Sequence, residues 1–236
     1  ELNTDAAFDD RDHNANNIIA EIPGSDPKAG YVMAGAHFDS WIAADGASDN
    51  GAGSIVVIEA ARILRQLGVR PKRTIRFALW EGEEQGLLGS TGYAKAARER
   101  GLDIAGMITN DIVGNTRSAD GSVDRGRLRL FAQGVPATAT LSDEVLAALR
   151  TSGENDLPTR QLARFIREQA ERYVRDFTVE MIWRRDRYLR GGDHFPFQEA
   201  GYPAVRFTEP LEDWRHQHQD VRVENGVQYG DLPEFV

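Results

Sequence analysis

The chain has 236 residues, with 28 Lys and Arg against 37 Asp and Glu for a formal net charge of −9, and it contains no cysteine. The acidic balance argues against nucleic acid as a partner, because phosphate contacts need clustered Lys and Arg. The missing cysteines exclude disulfides, thiolate metal sites and cysteine nucleophiles, so any metal has to be held by His, Asp and Glu.

Taken in chain order, the stretch up to Asn16 is polar and irregular. Asn17 to Ile22 reads as a strand, closed by Pro23-Gly24 and a turn-rich Ser25-Asp26-Pro27. Tyr31 to Ala36 is a short apolar run that suits a buried strand. Ile55, Val56, Ile58, Ala61 and Ile63 follow at helical spacing. Thr74 to Trp80 reads as a strand, Leu87 to Arg100 as a helix ended by Gly101, and Ala105 to Val113 as a third central strand. Leu128 to Phe131 is a further strand and Ser142 to Leu149 a short helix. Pro158 opens another helix, where proline fits the first turn. Its apolar stripe of Leu162, Phe165, Ile166, Ala170, Tyr173 and Val174 reads as core packing. Phe177 to Trp183 is a strand, Phe195 to Ala200 a short helix and Ala204 to Phe207 a strand.

Strands and helices thus alternate, which predicts a three-layer α/β/α sandwich around a mixed, mostly parallel sheet. No linker, repeat or low-complexity segment divides the chain, so residues 1–236 read as a single catalytic domain. No apolar run is long enough to span a bilayer. The start at Glu1 without Met suggests a trimmed piece of a longer protein, secreted or periplasmic, with its signal peptide removed. In such sheets, sites form at the carboxyl ends of the strands.

Five segments place acidic or imidazole groups at those ends. In Gly35-Ala36-His37-Phe38-Asp39-Ser40, His37 is a metal ligand with Asp39 fixing its tautomer, or a structural histidine bonded to an aspartate. In Gly46-Ala47-Ser48-Asp49-Asn50-Gly51-Ala52-Gly53, Asp49 is a helix N-cap or a carboxylate that bridges two metals. A phosphate loop is a third reading, but the Lys and Ser/Thr of a P-loop are missing. In Trp80-Glu81-Gly82-Glu83-Glu84-Gln85-Gly86, adjacent carboxylates would repel each other unless a cation lay between them. One can then bind the ion while its neighbour takes a proton from water. In Ile108-Thr109-Asn110-Asp111-Ile112-Val113-Gly114, Asp111 interrupts an apolar strand, and a buried Asp needs a partner. In Gly191-Gly192-Asp193-His194-Phe195-Pro196-Phe197, His194 opens an apolar helix as ligand, cap or core residue. Together His37, Asp49, Glu84, Asp111 and His194 form a nitrogen–oxygen set that suits zinc, with cobalt or manganese in substitution. Glu83 is left free as a base.

The five segments, in this order, resemble the co-catalytic di-zinc exopeptidases. That family includes bacterial leucyl-type aminopeptidases, plasma-type glutamate carboxypeptidases and related dipeptidases. The similarity runs from about Asn17 to Asp220. It implies two zinc ions, with Asp49 bridging, His37 and Asp111 on one ion, and Glu84 and His194 on the other. It further implies a cis peptide after Asp49, Glu83 as general base and a peptide or dipeptide substrate. His216-Gln217-His218-Gln219-Asp220 resembles a family loop near the site, which gives His218 a substrate-side role. Tyr188 is the nearest counterpart of the tyrosine that stabilises the oxyanion in some relatives. Arg187, Arg190 and Arg206 could bind a substrate carboxylate, and Trp41, Phe195 and Tyr202 could line an apolar pocket. The alternatives are a single-zinc glutaminyl cyclase-type acyl transferase and a non-catalytic binding ectodomain of the same fold.

Overall fold

Both faces of the central strands are apolar because helices cover both sides of the sheet. In the computed structural model, which describes residues 16–133 and 141–236, seven strands form one mixed sheet. They are β1 (Ile18–Ile22), β2 (Tyr31–His37), β3 (Thr74–Trp80), β4 (Ile104–Asn110), β5 (Arg127–Phe131), β6 (Thr178–Ile182) and β7 (Ala204–Thr208). Their order is β1-β3-β2-β4-β7-β5-β6. The pairs β2/β3, β2/β4, β4/β7 and β5/β6 are parallel, whereas β1/β3 and β5/β7 are antiparallel. This is the mixed, mostly parallel α/β/α sheet that the alternation predicts. Of the polar opening stretch, residues 1–15 lie outside the described residues.

Side chains alternate across each strand, and this sorts the core into layers. Phe77, Ala34 and Ala36 pack with Val57, Ala60 and Leu64 of α1 (Gly53–Gln66). On the same face, Val205, Phe207 and Ile108 pack with Leu162, Ala163 and Ile166 of α4 (Pro158–Tyr173). The opposite face joins Met33, Ala78, Trp80 and Ala204 to Tyr93, Ala94 and Ala97 of α2 (Leu88–Glu99) and to Phe197 of α5 (His194–Glu199). Trp80 anchors that side, with ring centroids 5.2 Å from Tyr93 and 5.6 Å from Phe197. The short α3 (Asp143–Arg150) is capped by Ser142, whose hydroxyl accepts from the Val145 amide.

Two apolar stripes differ from expectation. In α1, Val57 faces the sheet, while Ile55, Val56 and Ile58 are about half exposed or more. In α4 the inward residues are Leu162, Ile166 and Ala170, while Phe165 and Tyr173 face out. Both helices carry more apolar residues than one buried face can use, so spacing alone does not choose the face. The third central strand also ends sooner than Val113. It stops at Asn110, and Ile112 turns the chain with φ 57°. Asp111 therefore follows the strand rather than interrupting it. Among the described residues, no helix is long and apolar enough to cross a membrane.

Candidate metal centre

The parallel neighbours β3, β2 and β4 end on the same edge of the sheet. His37 is the last residue of β2, Glu83 and Glu84 occupy the turn after β3, and Asp111 follows β4. Asp49 enters from an irregular turn, Ala47–Ala52, between β2 and α1. The N-cap of α1 is Ala52, so Asp49 is free of the capping role. The Asp49–Asn50 peptide is cis.

The Asp49 carboxylate lies between two imidazoles. Its Oδ1 is 3.1 Å from His37 Nε2, and its Oδ2 is 2.7 Å from His218 Nε2. His37 Nε2 is also 3.6 Å from Asp111 Oδ1, and His218 Nε2 is 3.2 Å from Glu84 Oε1. Two trios converge with all ligand atoms within 4.8 Å of one another: His37, Asp49 and Glu84, and His37, Glu83 and Asp111. Asp111 is further paired with the buried Arg206 at 2.8 Å.

Charge in this edge is concentrated and nearly dry. Burial opposes the ionised form of Asp49, yet His218 and His37 hold its carboxyl well below the usual range. Burial likewise opposes Asp111, which Arg206 and His37 hold low. Burial disfavours a charged His37, but Asp111, Asp39 and Asp49 raise it well above an ordinary histidine. His218 is pushed up to about 10 by its bonds to Asp49 and Glu84. Glu83 is pushed up to about 9 by burial, then by the charges of Asp111 and Asp193. A base at neutral pH has to be ionised, so Glu83 needs positive charge beside it. His37 Nε2 and Glu84 Oε1 are buried and find no aligned hydrogen-bond partner among the described residues. The set of imidazole nitrogens and carboxylate oxygens fits zinc, and a bound divalent cation would supply what these atoms lack.

Neighbouring groups hold the cluster in place. The Asp39 carboxylate accepts from the Glu83 and Glu84 amides at 3.1 and 3.0 Å. It is 3.6 Å from His37 Nδ1, which lies nearer the Asp39 backbone carbonyl at 3.1 Å. Asp39 thus fastens the Glu83–Glu84 turn as well as orienting His37. Ser54 Oγ donates to the His37 carbonyl at 2.8 Å. Asp231 accepts from the Ser48 and Asp49 amides, each at 2.7 Å. Trp41 stacks on His218, with ring centroids 5.5 Å apart and planes 4° from parallel.

The expectation that His194 shares an ion with Glu84 is not met. His194 belongs to neither converging trio, and its Nε2 is 2.7 Å from the Arg185 carbonyl. Full burial pushes its ring down to about 3, which keeps it neutral. The histidine beside Glu84 is His218, which the sequence places only on the substrate side. The available signal was the His216-Gln217-His218 cluster, and His216 stacks instead on Phe235 at 3.6 Å. Tyr188 is more than half exposed and packs edge-on to Phe131. Tyr202 is a core residue that donates to the Leu102 carbonyl, and Phe195 packs on His194. Asp231 carried no sequence signal, because a carboxylate that caps a distant loop has no local pattern.

Glu209, after β7, is a second unannounced carboxyl. It is 1% exposed and accepts from the Asn115 amide at 3.0 Å. Burial pushes it up to about 8. A raised carboxyl pKa means that the folded state binds the proton more tightly than the unfolded chain. Stability is therefore lost as pH rises from the unfolded value near 4.5 through about 8. Glu209→Gln keeps the acceptor without the charge. The variant is expected to melt higher than the parent at pH 8.5, with a gain on the order of 2 kcal/mol that shrinks towards pH 5. Thermal melts across that range check it, and a gain independent of pH would contradict the burial argument.

The fold and the site together define a class: an α/β/α protein that gathers His and carboxylate side chains able to hold a metal at the carboxyl edge of a mostly parallel sheet. The chain belongs to peptidase family M28, whose family model matches residues 17–226. A probable zinc metalloprotease of Pyrenophora tritici-repentis (strain Pt-1C-BFP) is 45% identical over 231 residues, which is 94% of this chain and 47% of that protein. The chain spans about half the length of the curated relatives it matches. The Legionella pneumophila LapA aminopeptidase superposes with a TM-score of 0.65 at 21% identity, over 89% of this chain and 49% of that one. The Macrostomum lignano glutaminyl cyclase does so with a TM-score of 0.54 at 18% identity, over 87% and 64%. Those two likenesses concern the fold.

Proposed function

We propose that this chain is the catalytic part of a zinc-dependent exopeptidase that hydrolyses a terminal peptide bond of a peptide or dipeptide with two metal ions. One observation carries the proposal: the two oxygens of Asp49 each face a different histidine, His37 and His218. His37 and Asp111 would hold one ion, His218 and Glu84 the other, and Asp49 both. The related zinc metalloproteases support the choice of metal. When bound, zinc supplies Lewis acidity towards the scissile carbonyl and the attacking water.

Glu83 takes a proton from that water and returns it to the leaving amine. It is the carboxylate of the turn left over once Glu84 faces His218. Asp39 holds Glu83 and Glu84 through their amides, which keeps base and ligand from exchanging places. Burial of the cluster keeps bulk water from screening these charges. A glutaminyl cyclase shares the fold, but a donor set for two ions with a free base favours hydrolysis.

Elemental analysis paired with a peptide screen tests this. About two zinc per chain is expected, together with hydrolysis that a chelator abolishes. Cleavage of aminoacyl amides identifies an aminopeptidase, of N-blocked dipeptides a carboxypeptidase, and of free dipeptides alone a dipeptidase. Cyclisation of an N-terminal glutamine without cleavage products would select the cyclase. A folded protein that cannot be loaded with zinc would refute both.

A further inference from the structure

A cavity of about 210 Å³ opens against the metal centre, and its lining carries charges of both signs. Asp49, Glu83, Glu84 and Asp111 line it together with Arg187 and Arg190. Arg206 also reaches the cavity, but it is spent on Asp111, Thr208 and the Gly191 carbonyl.

Arg187 and Arg190 are presented by one small device. Their backbones exchange hydrogen bonds of 3.0 and 3.2 Å across a two-residue turn, Tyr188–Leu189. Both turn residues have positive φ, 49° and 78°. That conformation suits Gly or Asn in a hairpin turn and is strained for a Tyr or Leu. Residues paired across such a turn project their side chains to one side, which agrees with both arginines lining the cavity. Arg187 is 9% exposed and is anchored by Glu212, whose other oxygen holds Arg129. Its Nε has no hydrogen-bond partner among the described residues. The Arg190 side chain is exposed and, among the described residues, pairs with no carboxylate; it hydrogen-bonds His218 Nδ1 at 3.1 Å. The site thus holds a buried guanidinium anchored by Glu212 beside an exposed one that faces His218, both lining the cavity at the metal centre.

We propose that Arg187 and Arg190 form a carboxylate-binding subsite of the metal centre, selecting short peptides that carry a free carboxylate near the scissile bond. That carboxylate is the C-terminus of a dipeptide or the side chain of an acidic residue. The proposal rests on the exopeptidase reading above. A guanidinium fork matches a carboxylate in shape and charge, which a solvated Lys does not. The cavity is smaller than the roughly 300–1,000 Å³ of drug-sized pockets, which favours a substrate of few residues.

Two substrate pairs separate the sources. Leu-Leu against Leu-Leu amide reads the C-terminal carboxylate, and Leu-Glu amide against Leu-Gln amide reads an acidic side chain. The zinc-loaded parent is expected to prefer the charged member of one pair by about 10- to 100-fold in kcat/KM, the range for losing a charge-assisted hydrogen bond. In Arg187→Met and Arg190→Met the ratio should fall towards one. Arg190 pairs with no acid among the described residues, so its variant keeps the test intact if loss of the Glu212 partner unfolds the other. Binding of N-acetyl-Leu-Glu, which carries both kinds of carboxylate, is measured by calorimetry on metal-free protein and read alongside. It should weaken about 10-fold in Arg190→Met whether or not any peptide is cleaved. Without any cleavage the exopeptidase reading fails, while that titration still decides the subsite. A parent that treats both pairs alike, or an acetyl-dipeptide that binds Arg190→Met as well as the parent, overturns the proposal.

Discussion

Glu83→Gln is expected to keep its fold and its zinc while losing roughly 10² to 10⁴ in turnover, the usual range for a general base. Gln matches Glu in volume, and the Glu83 amide still donates to Asp39 at 3.1 Å, so the turn has no reason to move. What disappears is the one group of the turn free to carry a proton. Glu83 also lies in a converging trio with His37 and Asp111, and this makes the control informative. Turnover, bound zinc and melting temperature are measured together. Near-normal turnover would remove the base, whereas loss of zinc in step with activity would make Glu83 a ligand.

His218→Ala is expected to lose about one zinc equivalent and on the order of 10²-fold or more in rate, since a site with a missing ligand also loses the position of its neighbours. His194→Ala is expected to retain its metal and to lose stability instead, by about 1–3 kcal/mol, because its ring is fully buried and bonded to the Arg185 carbonyl. Metal analysis and thermal melts on the two variants decide between them. Loss of zinc from His194→Ala but not from His218→Ala would restore the assignment that the resemblance implied.

The contrast between the two histidines shows where the sequence stops. Both follow small turn residues or polar loops, and both sit within a motif. Only the fold shows that His194 opens α5 with its Nε2 turned to a backbone carbonyl, while a loop more than twenty residues later folds back over Asp49. Nothing local distinguishes a histidine whose partner is a carbonyl from one whose partner is a carboxylate. The same holds for Asp231, which fastens the Asp49 turn from 182 residues away.

Other features were legible because their causes are local. Strand and helix order follows from apolar runs punctuated by Gly and Pro, and that order dictates a mostly parallel sheet with its loops on one edge. His37, Glu83, Glu84 and Asp111 each lie within a few residues of a strand end, so placing the strands placed them too. The absence of cysteine restricts the candidate ligands to His and carboxylates whatever the geometry. Which face of α1 and α4 points inward, where β4 ends, and which histidine completes the cluster were decided by tertiary structure alone. Each depends on contacts between residues far apart in the chain, and such contacts leave no mark in the spacing of neighbours.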